Sequence, residues 1–266
     1  MDVDPGSCTS GRVGYGHGMT YSRDERNALC ALLDETGPSA PTLCEGWTTL
    51  DLAAHLVLRE HHLGASAGIV VGPLAGYTSR VQRRLAERTP FPRLVEIIRT
   101  GPPRLSPFGI PGMDERANTT EYFVHHEDVR RGAPGWAPRK LDAGLADLLW
   151  QRLRMARFLL RKVPVGVEFA RDDADVARYS PEGTPQSPEG QRPPGDTPEP
   201  PMARTPMAQS PPRTRMTVKA GPPVVTVAGS PGELTLWAAG RTTAARVRLD
   251  GDEVSVRKLA QARWGL

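Results

Sequence analysis

The spacing of apolar residues changes near residue 163, and this change constrains the fold more than any other feature of the sequence. Before it, leucines recur at steps of three and four residues, most regularly from Leu141 to Arg161, as on one face of a helix. After it, residues 165–169 alternate as a strand does. We therefore predict an α+β protein, with a helical bundle of the four-helix type over residues 20–162 and a small α+β domain over residues 163–262.

Capping patterns mark several of the predicted helix starts. The segments Ser22–Glu25 and Ser230–Glu233 each have the residue spacing of a capping box. Thr48 is a further candidate N-cap, and Asp51 follows it in the first turn, where a negative charge favours the positive end of a helix. We expect a helix to begin at each of these three places.

The second domain contains further segments that are rich in β-branched residues. We predict strands at Met216–Val218, Val224–Val227, Ala245–Leu249 and Val254–Val256. The dipeptide Asp250-Gly251 lies between the last two and favours a tight two-residue turn. We therefore expect a β-hairpin near the end of the chain.

Two stretches of the chain lack any hydrophobic period. Residues 1–19 are rich in glycine and single polar residues, which predicts a disordered tail. Residues 171–213 include eleven prolines between Pro181 and Pro212. Such a composition buries too little apolar surface to offset the entropy of ordering, so we predict a disordered insertion within the second domain.

Charge and composition argue against several classes of protein. The net charge is +4, but 30 of the 34 basic residues are arginine and they are interleaved with 30 acidic residues, which disfavours nucleic-acid binding. We find no apolar run that could span a membrane and no secretory signal. The three widely spaced cysteines suit a reducing cytoplasm, and the usual motifs of nucleophile-elbow hydrolases, dinucleotide-binding folds and phosphate loops are missing.

The candidate chemistry lies on two of the predicted helices. Glu121 and His125 are four residues apart, so they share one helix face, which Asp128 continues. His55 lies near the apolar side of an earlier helix. Two imidazoles and a carboxylate form a suitable ligand set for Zn²⁺ with one open position, as in catalytic zinc sites. The alternative is an ordinary helical Glu–His pair that binds no metal.

Several other residues near the candidate ligands are predicted not to bind the metal. His126 points about 100° away from His125 and is predicted to be a surface or supporting residue. Glu127, Arg130 and Arg131 are predicted to form a solvated face. Cys44 lies in a predicted loop and is open to reaction, although nothing near it in sequence activates the thiol.

Several motifs resemble the mycothiol-dependent maleylpyruvate isomerase family, which lies within the DinB-like metal-binding bundles. They are the loop Cys44–Thr48, the helical segment Leu52–Leu56 with its histidine, the segment Glu121–His125 and the C-terminal segment Gly232–Arg241. The run from Tyr122 to Arg131 is most similar to an uncharacterised actinobacterial branch known only as metal-binding.

The resemblance implies a function as well as a fold. It implies a DinB-like bundle in which His55, Glu121 and His125 bind a metal, zinc or another divalent ion, with mycothiol as the thiol co-substrate and Arg241 holding a carboxylate of thiol or substrate. The leading hypothesis is a cytoplasmic thiol-dependent transferase or isomerase that acts on an electrophile. The alternatives are a non-catalytic metal- or thiol-binding module, a basic adaptor, and for Arg241 a surface residue that complements a helix dipole.

Overall fold

The computed structural model describes residues 20–61, 75–103, 113–172 and 214–264. The predicted disordered tail lies outside these residues, and so does the predicted insertion apart from its first two positions, of which Arg171 ends a strand. The first described helices are α1 (Tyr21–Thr36), α2 (Thr49–His61), α3 (Ala75–Arg88), α4 (Phe91–Thr100) and α5 (Met113–Arg130).

The chain continues with α6 (Ala143–Arg152), the 3₁₀ turn Leu153–Met155, the single-turn α7 (Ala156–Leu159) and the 3₁₀ turn Leu160–Lys162. The long helix predicted from Leu141 to Arg161 is therefore broken after its first half. Four of its leucines are still buried, namely Leu145, Leu149, Leu153 and Leu160.

The remaining elements form a mixed sheet with two helices. They are β1 (Gly166–Arg171), β2 (Arg215–Lys219), β3 (Val224–Gly229), α8 (Pro231–Ala238), β4 (Arg248–Asp250) and α9 (Glu253–Gln261). The strand order is β2-β1-β3-β4, with β1 and β3 parallel and the two outer pairs antiparallel. The predicted α+β class is confirmed by these helices and this four-stranded sheet.

Three buried clusters form the core. The first joins α1, α2, α4 and α5 through residues such as Leu29, Leu56 and Ile98. The second packs the sheet against α8, α9 and the turns after α6, and the third links α5, α6 and α8. Because Trp150 and Leu160 belong to the sheet's cluster, the apolar contacts run across the domain boundary that we predicted at residue 162.

Two of the three predicted helix N-caps do not form in the structure as the sequence predicts. Thr20, not Ser22, caps α1, and Glu25 forms buried ion pairs instead of closing a capping box. Ser230 does occupy the N-cap position of α8, but its side chain makes no capping hydrogen bond.

The third cap forms as the sequence predicts. The backbone N–H and the hydroxyl of Thr48 both donate to Asp51 Oδ2, at 2.9 and 2.7 Å. This pair fixes the start of α2 and hence the helix that carries His55.

The predicted terminal β-hairpin is wrong. Residues 253–261 form α9, which Asp252 caps by accepting a hydrogen bond from the backbone N–H of Ser255 at 2.9 Å. Leu259 is buried while Val254 is half exposed, so the apolar face has a helical period. A three-residue alternation was too short to distinguish the two periods.

The loop between α1 and α2 passes close over the end of α5. A Cβ atom at Gly132 would lie 2.1 Å from the backbone oxygen of Pro41. The backbone N–H of Leu43 donates to the carbonyl of Asp128 at 3.0 Å in the same region. Because the obstacle is backbone, we expect Gly132→Ala to lower the free energy of unfolding by about 1–3 kcal/mol in a urea titration.

The matched control is Gly76→Ala in α3. A Cβ there would meet nothing within 4 Å, and alanine is favoured over glycine in a helix by up to about 1 kcal/mol. This control should be neutral or stabilising. Wild-type stability in Gly132→Ala would contradict the close approach of loop and helix.

Helix length and apolarity also bear on membrane association. Within the part of the chain that the structure describes, no helix is both long and apolar enough to span a bilayer.

Candidate metal centre

Helices α2 and α5 bring the three predicted ligands together. His55 lies in the middle of α2, and Glu121 and His125 occupy successive turns of α5. Glu121 Oε1 lies 3.2 Å from His125 Nε2 and 3.6 Å from His55 Nε2. One donor atom from each residue lies within 4.8 Å of the other two.

These separations fit a tetrahedral zinc ion. Bonds of about 2.0–2.1 Å in tetrahedral geometry hold neighbouring ligand atoms about 3.3 Å apart. The two distances to Glu121 Oε1, 3.2 and 3.6 Å, bracket this value. Two imidazole nitrogens and one carboxylate oxygen are also a donor set that zinc accepts.

Aromatic packing holds the imidazole of His55 in place. Its ring centroid lies 5.1 Å from that of Trp47 and 5.4 Å from that of His125. Trp47 comes from the loop before α2, where its carbonyl accepts a hydrogen bond from the hydroxyl of Thr42 at 2.9 Å. The loop therefore forms one wall of the site.

The protonation of the three residues follows from burial and from their mutual contacts. Burial lowers the pKa of His55. Burial alone would raise the pKa of Glu121, but hydrogen bonds from His125 and His55 and the charge of Arg59 hold it well below its usual range. Burial alone would lower the pKa of His125, but hydrogen bonds to Asp128, Cys44 and Glu121 raise it well above its usual value.

The contacts of His125 with Glu121 and Asp128 thus favour its protonated form. Metal binding by Nε2 of His125 would require the neutral imidazole.

Arg59 is a site residue that sequence analysis did not single out. It lies one turn after His55 on α2, and its Nε is 3.3 Å from Glu121 Oε1. Its guanidinium also donates to Asn118. The spacing of four residues from His55 was the available signal, because it places both side chains on one face of α2.

A second donor group adjoins the first and shares His125. It consists of Cys44, His125 and Asp128. Asp128 Oδ2 lies 2.9 Å from His125 Nδ1 and accepts a hydrogen bond from the thiol of Cys44 at 3.2 Å. Cys44 therefore does not lie in an isolated loop but against the rear of the candidate metal centre.

Arg241 reaches this group from the segment after α8. Its Nε and Nη2 donate to the two oxygens of Asp128 at 2.9 and 2.7 Å, and Nη2 also lies 3.4 Å from Cys44 Sγ. Burial alone would raise the pKa of Asp128, but hydrogen bonds with His125 and Arg241 lower it to about 2. The carboxylate that Arg241 holds in this structure is thus the protein's own.

A buried ion-pair network lies beside the candidate centre, where we predicted a solvated face. Glu127 and Arg131 are 1% and 4% exposed, because Glu127 pairs with the neighbouring arginines and Arg131 pairs with Glu233 of α8, whereas the Arg130 side chain stays 25% exposed. His126 is buried too, with its Nδ1 2.9 Å from Glu25 Oε2. The network joins α1, α5 and α8 through Glu25, His126, Glu127, Arg130, Arg131, Arg139 and Glu233.

The fold and the site define an α+β protein with a buried two-histidine, one-carboxylate group that has the geometry of a metal centre. Residues 21–76 match the family model described as the mycothiol maleylpyruvate isomerase N-terminal domain. This match confirms the predicted resemblance over about a fifth of the chain. It includes Cys44, Trp47 and His55 and ends before Glu121. Neither the curated proteins nor the solved structures contain a significant match.

Proposed function

We propose that the protein binds a divalent metal ion, zinc, through His55, Glu121 and His125, and that it uses this ion in a thiol-dependent transferase or isomerase reaction. The observation that carries the proposal is the convergence of three donor atoms from α2 and α5 at the spacing of a tetrahedral site. On this proposal the helical part is a DinB-like bundle.

The three residues contribute different properties to metal binding. His55 and His125 supply neutral nitrogen donors, and Glu121 supplies the negative charge that partly balances a divalent cation. Bound zinc would stabilise a thiolate over a thiol and so provide a nucleophile at neutral pH. The low exposure of His55 and His125, 8% and 7%, limits the access of water to this position.

The proposed thiol is mycothiol, and the second substrate is a small electrophile. The support for the thiol is the match of residues 21–76 to a domain whose description names mycothiol. Mycothiol is the low-molecular-weight thiol of actinobacteria, so the proposal also places the protein in an actinobacterial cytoplasm. The hypothesis that Arg241 holds a carboxylate of a bound ligand requires it to release Asp128 first.

One observation favours the alternative of a non-catalytic metal- or thiol-binding module. The histidine ligands His55 and His125 are only 8% and 7% exposed, and the side chain of Arg59 covers Glu121 Oε1 at 3.3 Å. A site built this way can retain an ion or a proton without giving a second substrate ready access.

A thiol-consumption assay distinguishes the two functions. Zinc-loaded protein, chelator-stripped protein and the His55→Ala variant are each given mycothiol and a panel of electrophiles. We expect consumption only with the zinc-loaded protein, and unchanged activity in the control Glu96→Gln, whose side chain is 51% exposed. Mycothiol binding without turnover would support the module. A protein that binds neither zinc nor mycothiol would contradict both functions.

A further inference from the structure

Within the described residues, two groups of side chains could hold a metal ion, and His125 is the only residue that belongs to both. It contacts each group through a different ring nitrogen. Nε2 lies 3.2 Å from Glu121 Oε1, on the side of His55. Nδ1 lies 2.9 Å from Asp128 Oδ2, on the side of Cys44. The two groups therefore compete for the role of metal site.

The hydrogen bonds of Asp128 decide between them. Its side chain is fully buried and receives four donors on two oxygens: Nε and Nη2 of Arg241, Nδ1 of His125 and the thiol of Cys44. Three of these donors meet Oδ2 and the fourth meets Oδ1, so Oδ2 has no lone pair left for a further donor. A metal ion at this group would replace the hydrogens of His125 Nδ1 and of the Cys44 thiol. It would then lie beside the guanidinium of Arg241, which contacts both oxygens of Asp128 and Cys44 Sγ and whose positive charge disfavours a cation there.

The same contacts fix the tautomer of His125. An ionised carboxylate only accepts hydrogen bonds, so Nδ1 of His125 carries the hydrogen. The ring is then left with Nε2 as its available ligand atom, and this atom faces Glu121 and His55. Ligating histidines in metalloproteins are commonly held by a carboxylate in this way.

We propose that Asp128 and Arg241 are positioning residues of the metal centre: Arg241 holds Asp128, Asp128 holds His125, and Cys44 supports this arrangement without binding metal. The inference rests on the proposed metal site at His55, Glu121 and His125. It assigns the C-terminal part of the chain a definite role, since Arg241 lies 113 residues after Asp128 and contacts that carboxylate directly.

The test compares zinc affinities of purified variants by competition with a chromophoric chelator. We expect Asp128→Asn to bind zinc about 10–100-fold more weakly than wild type, the usual cost of losing such a contact, and Arg241→Met about 10-fold more weakly. Cys44→Ser should remain within about 3-fold of wild type, because its hydroxyl can still donate to Asp128. The wild type loaded with Co²⁺ should show no thiolate-to-metal charge-transfer band.

A stability control separates positioning from general damage to the fold. Glu233→Ala breaks a buried ion pair that does not contact His125 or Asp128, so it should retain wild-type zinc affinity while unfolding more readily. Wild-type affinity in Asp128→Asn would overturn the proposal. A thiolate band in the Co²⁺ form that disappears in Cys44→Ser would also overturn it, because the metal would then lie at the Cys44 group.

A measurement on the metal-free protein tests the role of Asp128 independently of the proposed metal binding. Long-range ¹H–¹⁵N spectra of the imidazoles report which nitrogen of His125 carries hydrogen. We expect a protonated Nδ1 in the wild type and a changed Nδ1 signal in Asp128→Asn. If the wild type bound no zinc, the metal function would fail, while this spectrum would still decide whether Asp128 fixes the ring.

Discussion

The His55→Ala variant is expected to purify without bound zinc, whereas the wild-type protein should hold about one zinc ion per chain. The loss leaves Glu121 and His125, two neighbours on a single helix, which cannot surround an ion. Losing an outer contact already costs about 10–100-fold in affinity, so losing a ligand should cost at least about 100-fold. Elemental analysis after extensive dialysis measures the effect.

The control for this prediction is another buried histidine. His126 is adjacent to His125, but its Nδ1 contacts Glu25 instead of the candidate centre. His126→Gln should therefore keep its zinc, even if it unfolds more readily. Stoichiometric zinc in His55→Ala would show that the ligand assignment is incorrect.

The largest effect on stability is expected for Glu233→Ala. Glu233 receives two hydrogen bonds from Arg131, at 3.0 and 2.7 Å, and one from the backbone N–H of Arg246 at 2.7 Å. The substitution leaves the guanidinium of Arg131 buried with only part of its compensating charge. Removing one partner of a buried ion pair costs about 3–5 kcal/mol, and a urea titration followed by tryptophan fluorescence should show this loss.

An exposed pair of similar chemistry serves as the control. Glu253 is paired with Arg257 at the start of α9, and its side chain is 83% exposed. Glu253→Ala should change the free energy of unfolding by less than about 1 kcal/mol. If both variants lost the same small amount, the buried network would not be the link between α5 and α8 that the structure indicates.

The sequence predicts the helix positions of the candidate ligands because the relevant patterns are local. Glu121 and His125 share a helix face whenever that segment is helical, and Thr48 and Asp51 fix the start of the helix that carries His55. The resemblance to the isomerase family supplied the pairing of these two helices, which spacing alone leaves open.

Two other features of the fold could not be predicted from local sequence patterns. The charged residues after His125 have a typical surface composition, and only the packing of α8 against α5 buries Arg131 with Glu233. Residues 253–261 form a helix where a short alternation favoured a strand, because the Asp252 cap and the burial of Leu259 outweigh that pattern.

The sequence by itself therefore determined most of the helices and strands and the helix positions of the three candidate ligands, since contacts within four residues and regular apolar periods specify them. Only the tertiary structure placed Cys44 and Arg241 on Asp128, 84 and 113 residues away along the chain. Such contacts depend on how the helices and the C-terminal segment pack together, and no local spacing encodes that packing.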